Sequence, residues 1–203
     1  MASGLQCLSN TEPFVKFFIS DVYEHYVNDK NPLGTRGRLA LAFGDLLKEL
    51  WVEQKSAVAP WDIKTVIAKR AVQFQGFSQH DSQEMLSFLL QTLHEDLNEV
   101  TRKPYIEQKD SNGRPDSEVA AEYWDNFQKR DKSILVDLFY GQLKSRVECQ
   151  RCKHFSISFD PFSMLSVPIP SKLSSKLYFK YLSLNIAEKP KVFMIPVTEY
   201  ISN

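Results

Sequence analysis

The sequence predicts an α+β fold in which a helical lobe, residues 1–142, leads into a β-rich lobe, residues 143–203. Two observations carry this. Before residue 142 the apolar residues recur at helical spacing in several separate runs, and after it they recur at every second position. An apolar content of 43% in 203 residues is enough for a buried core.

The elements follow in order. Residues 5–20 have helical spacing interrupted at Pro13, which predicts two short helices. The turn formers Asn31, Pro32 and Gly34 precede a run from Arg36 to Trp51 that places Leu39, Phe43, Leu46, Leu47 and Leu50 on one face, a further amphipathic helix. Pro60 suits the first position of a helix carrying Ile63, Val66 and Ile67. Between Gly76 and Asn98, Asp81 followed three residues later by Glu84 reads as a capping box, in which each side chain satisfies an amide left unpaired by the first turn. Met85, Leu89, Leu93 and Leu97 then repeat every fourth residue, with Leu86, Leu90 and Val100 widening the stripe. Residues 110–116 are dense in turn formers and precede a charged helix over Glu118 to Arg130. Leu143, Ser145 and Val147 alternate with charged residues, and Phe155, Ile157 and Phe159 alternate with serines, so two strands flank one turn. Leu182–Ile186 and Val192–Val197 read as further strands.

Charge and cysteine content exclude several functions. Lysine plus arginine and aspartate plus glutamate both number 25, so no global field favours nucleic acid or an acidic membrane surface. No apolar run approaches the roughly 20 residues needed to span a bilayer, and no secretory leader is evident. Three cysteines in such a chain point to a reducing compartment, cytoplasmic or nuclear.

The cluster from Gln79 to Glu84 holds six polar side chains, and a cap needs only one or two of them. A solvated helix start and a binding surface both account for it. The run QHDSQEMLSFLLQTLHEDLN at 79–98 resembles the glutamine-box helix of the ubiquitin-specific proteases, cysteine peptidases that cut after the C-terminal glycine of ubiquitin. SGLQCLSNTEPF at 3–14, PYIEQKDSNGRPD at 104–116, SILVDLFYGQLKSRVECQRC at 133–152 and FDPFSMLSVPIP at 159–170 follow in that family's order. KDSNGRPD and Trp124 are similar to a subgroup of large, multi-domain members.

The resemblance implies a papain-like cysteine peptidase fold, with a helical thumb followed by the start of a β-rich fingers and palm lobe. It implies ubiquitin or ubiquitinated proteins as partners. Asp81 and Glu84 match the carboxylates that line the channel for ubiquitin's arginine-bearing tail, which suits paired charge-assisted hydrogen bonds, and Phe77 and Gln79 add walls and polar contacts. The family's nucleophilic cysteine falls two residues before Met1 and its general-base histidine beyond Asn203, so the expectation is an incomplete catalytic domain that is inactive alone. A non-catalytic ubiquitin-binding module, or a helical scaffold without ubiquitin function, are the other readings.

Two cysteine questions stay open. Cys7 lies between Leu5 and Leu8 and is expected to be a small buried hydrophobe, although a spatial pairing with His25, His80, His94 or His154 is compatible with sequence. Cys149 and Cys152 form a C-x-x-C in a hairpin turn, half of a tetrahedral zinc site, with His154 as a potential third ligand. In the resembling family a second C-x-x-C completes the site. Unmetallated structural cysteines and a redox pair are the alternatives.

Overall fold

A computed structural model describes residues 2–168, 172–181 and 191–200. Its first compact unit, Met1–Met164, holds seven α-helices and one hairpin among the described residues. The helices are α1 (Ala2–Leu8), α2 (Glu12–Ile19), α3 (Arg38–Trp51), α4 (Trp61–Arg70), α5 (Ser82–Asp96), α6 (Asp116–Gln128) and α7 (Ile134–Phe139). The hairpin strands are β1 (Gly141–Glu148) and β2 (Phe155–Phe162), paired antiparallel.

The periodic runs become helices because each has a core-facing stripe to bury. Leu39, Phe43 and Leu47 on α3 meet Phe14 and Phe18 on α2, and the stripe Met85, Leu89, Leu93 and Leu97 on and just past α5 is wholly buried. Edge-on packing of Phe14 against Phe18 and Phe139, with ring centroids 5.0 and 5.3 Å apart, ties α2 to the end of α7. Pro13 sits in the first turn of α2, so the break expected at that proline falls just before it, where proline's missing amide costs nothing.

Polar staples then fix the loops onto α5. Asp96 is fully buried, and its carboxylate accepts from the amides of Thr35, Leu39 (3.1 Å) and Ala40 (3.4 Å), capping α3 from a distant part of the chain. Asn28 donates to the Asn98 carbonyl at 2.8 Å, and Asn31 to the Glu95 carbonyl at 2.9 Å. These bonds explain why the helix expected from Arg36 starts at Arg38. Arg36 and Gly37 both hold positive φ, 60° and 78°, and form the turn that brings α3's amides to Asp96. A Cβ at Gly37 would run into the Val27 side chain.

The hairpin packs on α6 through Val119, Tyr123 and Phe159. Its register pairs Lys144 with Phe159, Arg146 with Ile157 and Glu148 with Phe155. The two apolar rows therefore lie on opposite faces: β2's faces α6, while Leu143 and Val147 remain 46% and 66% exposed. Chain character changes to β at Gly141, and the compact unit continues through β2 to Met164.

The second unit, Leu165–Asn203, contains the antiparallel pair β3 (Lys172–Tyr181) and β4 (Lys191–Tyr200). The expected strand Val192–Val197 lies within β4, and the Leu182–Ile186 run lies outside the described residues. No described helix is long and apolar enough to cross a membrane.

Candidate functional site

The start of α5 presents the residues singled out by sequence. Asp81 takes an extended conformation and caps the helix, its Oδ1 accepting from the Gln83 amide at 2.7 Å. The reciprocal half of the expected capping box is not formed, because Glu84 makes no hydrogen bond back to the Asp81 amide among the described residues. Glu84 points to solvent instead, and Phe77, Gln79 and Asp81 are exposed with it.

Neither carboxylate has a cationic partner within the described residues. Asp81 uses one oxygen for the cap and keeps the second available, within the capacity of a carboxylate. Beside them, the Nε2 of His80 is buried without a hydrogen-bond partner, the one such side-chain atom among the described residues. Its ring stands edge-on to Phe74 at 5.5 Å, which holds the imidazole in place. An orphaned buried nitrogen is costly and marks a position that a partner group can satisfy. Sequence grouped His80 with its polar neighbours and gave no sign of this burial.

Phe77 is 86% exposed and belongs to an aromatic rim. Trp61 meets it edge-on at 6.3 Å, and the Lys64 ammonium lies 3.7 Å from its ring centroid. Below the rim is an apolar cavity of about 260 Å³ lined by Leu5, Trp61, Ile63, Ile67, Phe77 and Met85. Ser87 Oγ contacts Met164 Sδ, so the chain leaving β2 passes along the first turns of α5. Trp61 and Lys64 were not legible as site residues, since they reach Phe77 only through the packing of α4.

The cysteines depart from expectation. Cys7 is exposed, not buried: α1 turns Gly4 and Leu8 inward, where a Cβ on Gly4 would meet Leu86 Cγ at 2.9 Å, and Cys7 falls on the outer stripe. No hydrogen bond joins Cys7 to a histidine among the described residues. His94 is buried in a separate network. Its Nδ1 lies 2.8 Å from Ser133 Oγ and its Nε2 lies 3.3 Å from Asp131 Oδ1. That serine, histidine and aspartate share the composition of a hydrolytic triad, but Ser133 Oγ accepts from the Val136 amide to cap α7 and is almost fully buried. The arrangement locks α5 to the segment that leads into α7. Burial by itself would raise the Asp131 carboxyl, yet hydrogen bonds from His94 and Lys103 outweigh it and hold it at about 2.

Two places have metal-ligand chemistry. His94, Glu95 and Asp131 bring ligand atoms within 4.8 Å of one another. The Lys103 ammonium already fills the cation position there, 2.6 Å from Asp131 and 3.6 Å from Glu95. Cys149 and Cys152 lie exposed in the β1–β2 turn, closed by Cys149 N–H to the His154 carbonyl at 2.8 Å and Lys153 N–H to the Cys149 carbonyl at 2.9 Å. Backbone amides of Cys152 and Arg151 aimed at the Cys149 sulfur lower its pKa, which suits a thiolate ligand. His154 does not join the two sulfurs; it stacks on Phe155 and faces Asp110 at 3.8 Å. Two sulfurs fill half of a tetrahedral zinc coordination sphere.

Comparison with known proteins gives a consistent result. The family model described as "Ubiquitin carboxyl-terminal hydrolase" matches residues 1–202. The chain is 54% identical over 170 residues to human ubiquitin carboxyl-terminal hydrolase 32, covering 84% of this chain and 11% of that protein. It is 55% identical over 177 residues to ubiquitin carboxyl-terminal hydrolase 10 of Arabidopsis thaliana, covering 87% and 19%. To ubiquitin carboxyl-terminal hydrolase 15 of Rattus norvegicus it is 44% identical over 197 residues, covering 97% and 21%. The chain thus spans between about a tenth and a fifth of the length of these relatives. Among solved structures, the SAGA Ubp8/Sgf11/Sus1/Sgf73 DUB module bound to ubiquitin aldehyde aligns with TM-score 0.53 at 19% identity, over 98% of this chain and 42% of that one. The same module bound to monoubiquitin aligns with TM-score 0.55 at 18% identity, over the same shares. The fold is therefore the α+β fold of those catalytic domains, and the chain belongs to the ubiquitin carboxyl-terminal hydrolase family.

Proposed function

We propose that this chain forms the helical wall of a channel that takes the C-terminal tail of ubiquitin, within a deubiquitinating cysteine protease that cleaves after ubiquitin's terminal glycine. The observation that carries this reading is the pair of exposed carboxylates at the start of α5, Asp81 and Glu84, neither engaged by a cation within the described residues. Asp81 at the cap and Glu84 in the first turn lie at the same end of α5, and two such carboxylates can hold a guanidinium on an extended tail. Phe77 supplies an apolar wall beside them and Gln79 a polar contact.

By itself the chain binds and does not cut. Thiolate attack needs a base within hydrogen-bond reach of the sulfur, and no described histidine stands in that relation to a cysteine. A non-catalytic ubiquitin-binding module would use the same wall.

Titrating isotopically labelled ubiquitin with the chain and following its amide resonances tests the proposal. Shifts concentrated in ubiquitin's C-terminal residues, lost in the Asp81→Asn, Glu84→Gln double variant, are expected. No shift with the wild-type chain would overturn the reading. A fluorogenic ubiquitin C-terminal substrate should stay intact in the same samples.

A further inference from the structure

A second surface of the helical unit carries concentrated charge of the opposite sign. Between the turn at residues 31–37 and the last turn of α4 lies a groove of about 420 Å³, lined by Arg36, Arg38, Lys69 and Arg70 with Pro32 and Val66 as apolar floor. The chain as a whole has equal numbers of acidic and basic residues. Four cations in one groove with no lining carboxylate are therefore a local departure from a neutral background.

These cations are not spent on the fold's own ion pairs. None of the four takes part in a salt bridge among the described residues. The amides at the start of α3 are already satisfied by Asp96, so the groove does not owe its charge to capping. Arg70 is fixed, its guanidinium donating to the carbonyls of Leu33 and of Pro32, the latter at 3.1 Å. Arg36 is held at φ 60°, a left-handed conformation that a long side chain rarely adopts. A residue better suited to that turn is glycine or asparagine, so arginine there costs backbone strain and adds a charge to the groove.

We propose that this groove binds an acidic segment of a partner polypeptide, an extended stretch of aspartate or glutamate interleaved with small apolar residues. Guanidinium groups pair with carboxylates through two parallel hydrogen bonds, and Val66 and Pro32 offer the interleaved apolar side chains a surface. Nucleic acid fits less well. No aromatic side chain lines the groove to stack a base, and the neutral chain projects no long-range positive field. A lipid surface is flat, whereas these charges line a concavity. The proposal does not depend on ubiquitin binding, which uses the start of α5.

Fluorescence anisotropy of the 203-residue chain tests it, with a fluorescein-labelled peptide of alternating glutamate and alanine as the probe. At about 50 mM salt, where screening is weak over the width of a groove, saturable binding is expected. The Arg38→Glu, Lys69→Glu double variant should weaken it by roughly tenfold or more, and added salt should weaken it further. Because charge reversal can disturb folding, Arg36→Gly is the second variant: it removes one cation while giving the left-handed turn a residue that prefers it. Lower affinity in Arg36→Gly at an unchanged or raised melting temperature supports the proposal. Absence of saturable binding, unchanged affinity in Arg36→Gly, or tighter binding of oligothymidylate or phosphatidylserine vesicles than of the peptide would each overturn it.

Discussion

Asp131 shows how one carboxylate can join segments far apart in the chain. It accepts from the Lys103 ammonium at 2.6 Å, from the Asn98 amide at 3.3 Å and from the His94 ring at 3.3 Å, while His94 reaches Ser133 at the start of α7. With its pKa held at about 2 against an ordinary 3.8, the folded state binds the proton less readily than the unfolded chain does. The stabilisation is complete above the unfolded value and is lost as pH falls through the folded one. Asp131→Asn should therefore cost about 2 kcal/mol at neutral pH and flatten the loss of stability between about pH 4 and pH 2. Urea unfolding across that range measures both, and a variant with the wild-type acid limb would contradict the account. Asp81 allows a cleaner separation of fold from function. Asparagine caps helices as well as aspartate does, so Asp81→Asn should leave the melting temperature unchanged, whereas Asp81→Ala should cost about 1 kcal/mol. Thermal melts of the two variants check this. At this scale the sequence was partly legible. Asp81 as a cap follows from its place before an apolar run, but burial of Asp96, the orphaned nitrogen of His80 and the exposure of Cys7 depend on contacts made by distant segments.

Helix α5 is the element on which the others are assembled. Its buried stripe meets the core, its C-terminal end anchors the loops at Asn28 and Asn31, and its N-terminal end presents the proposed tail site. Leu89 and Leu93 are both fully buried, so Leu89→Ala or Leu93→Ala should each destabilise by about 2–5 kcal/mol, read from the shift in urea midpoint. Gly37→Ala should also destabilise, since the residue is left-handed and a Cβ would meet Val27; an unchanged midpoint would show that the turn before α3 can relax. The long periodic helices were readable because their stripes repeat over several turns, as in α3 and α5. α7 was not, because its six residues are too few to display a period, and its start is set by Ser133. The strands β1 and β2 were readable as alternating runs, yet their pairing put Leu143 and Val147 on the face away from α6. Alternation within one strand fixes which residues share a face. It does not fix which face its partner brings to the core.

For the whole molecule, family and fold were legible because long ordered motifs fall in the same order as in the ubiquitin-specific proteases, and the matched family spans residues 1–202. The candidate site was legible only as far as its proposed residues are contiguous. Phe77, Gln79, Asp81 and Glu84 lie within one short stretch, while Trp61 and Lys64 come from another helix and the basic groove is assembled from two segments. The two proposed surfaces carry opposite charge on separate segments, so the proposed basic tail at α5 and the proposed acidic segment beside α4 would not share contact residues. The central claim is that the start of α5 recognises ubiquitin's tail through its two carboxylates. Calorimetric titration of ubiquitin into the wild-type chain and into the Asp81→Asn, Glu84→Gln variant tests it most directly. The account predicts heat of binding for the wild type and a loss of affinity of roughly tenfold or more in a variant that melts at the same temperature. Equal affinity for both chains would contradict it.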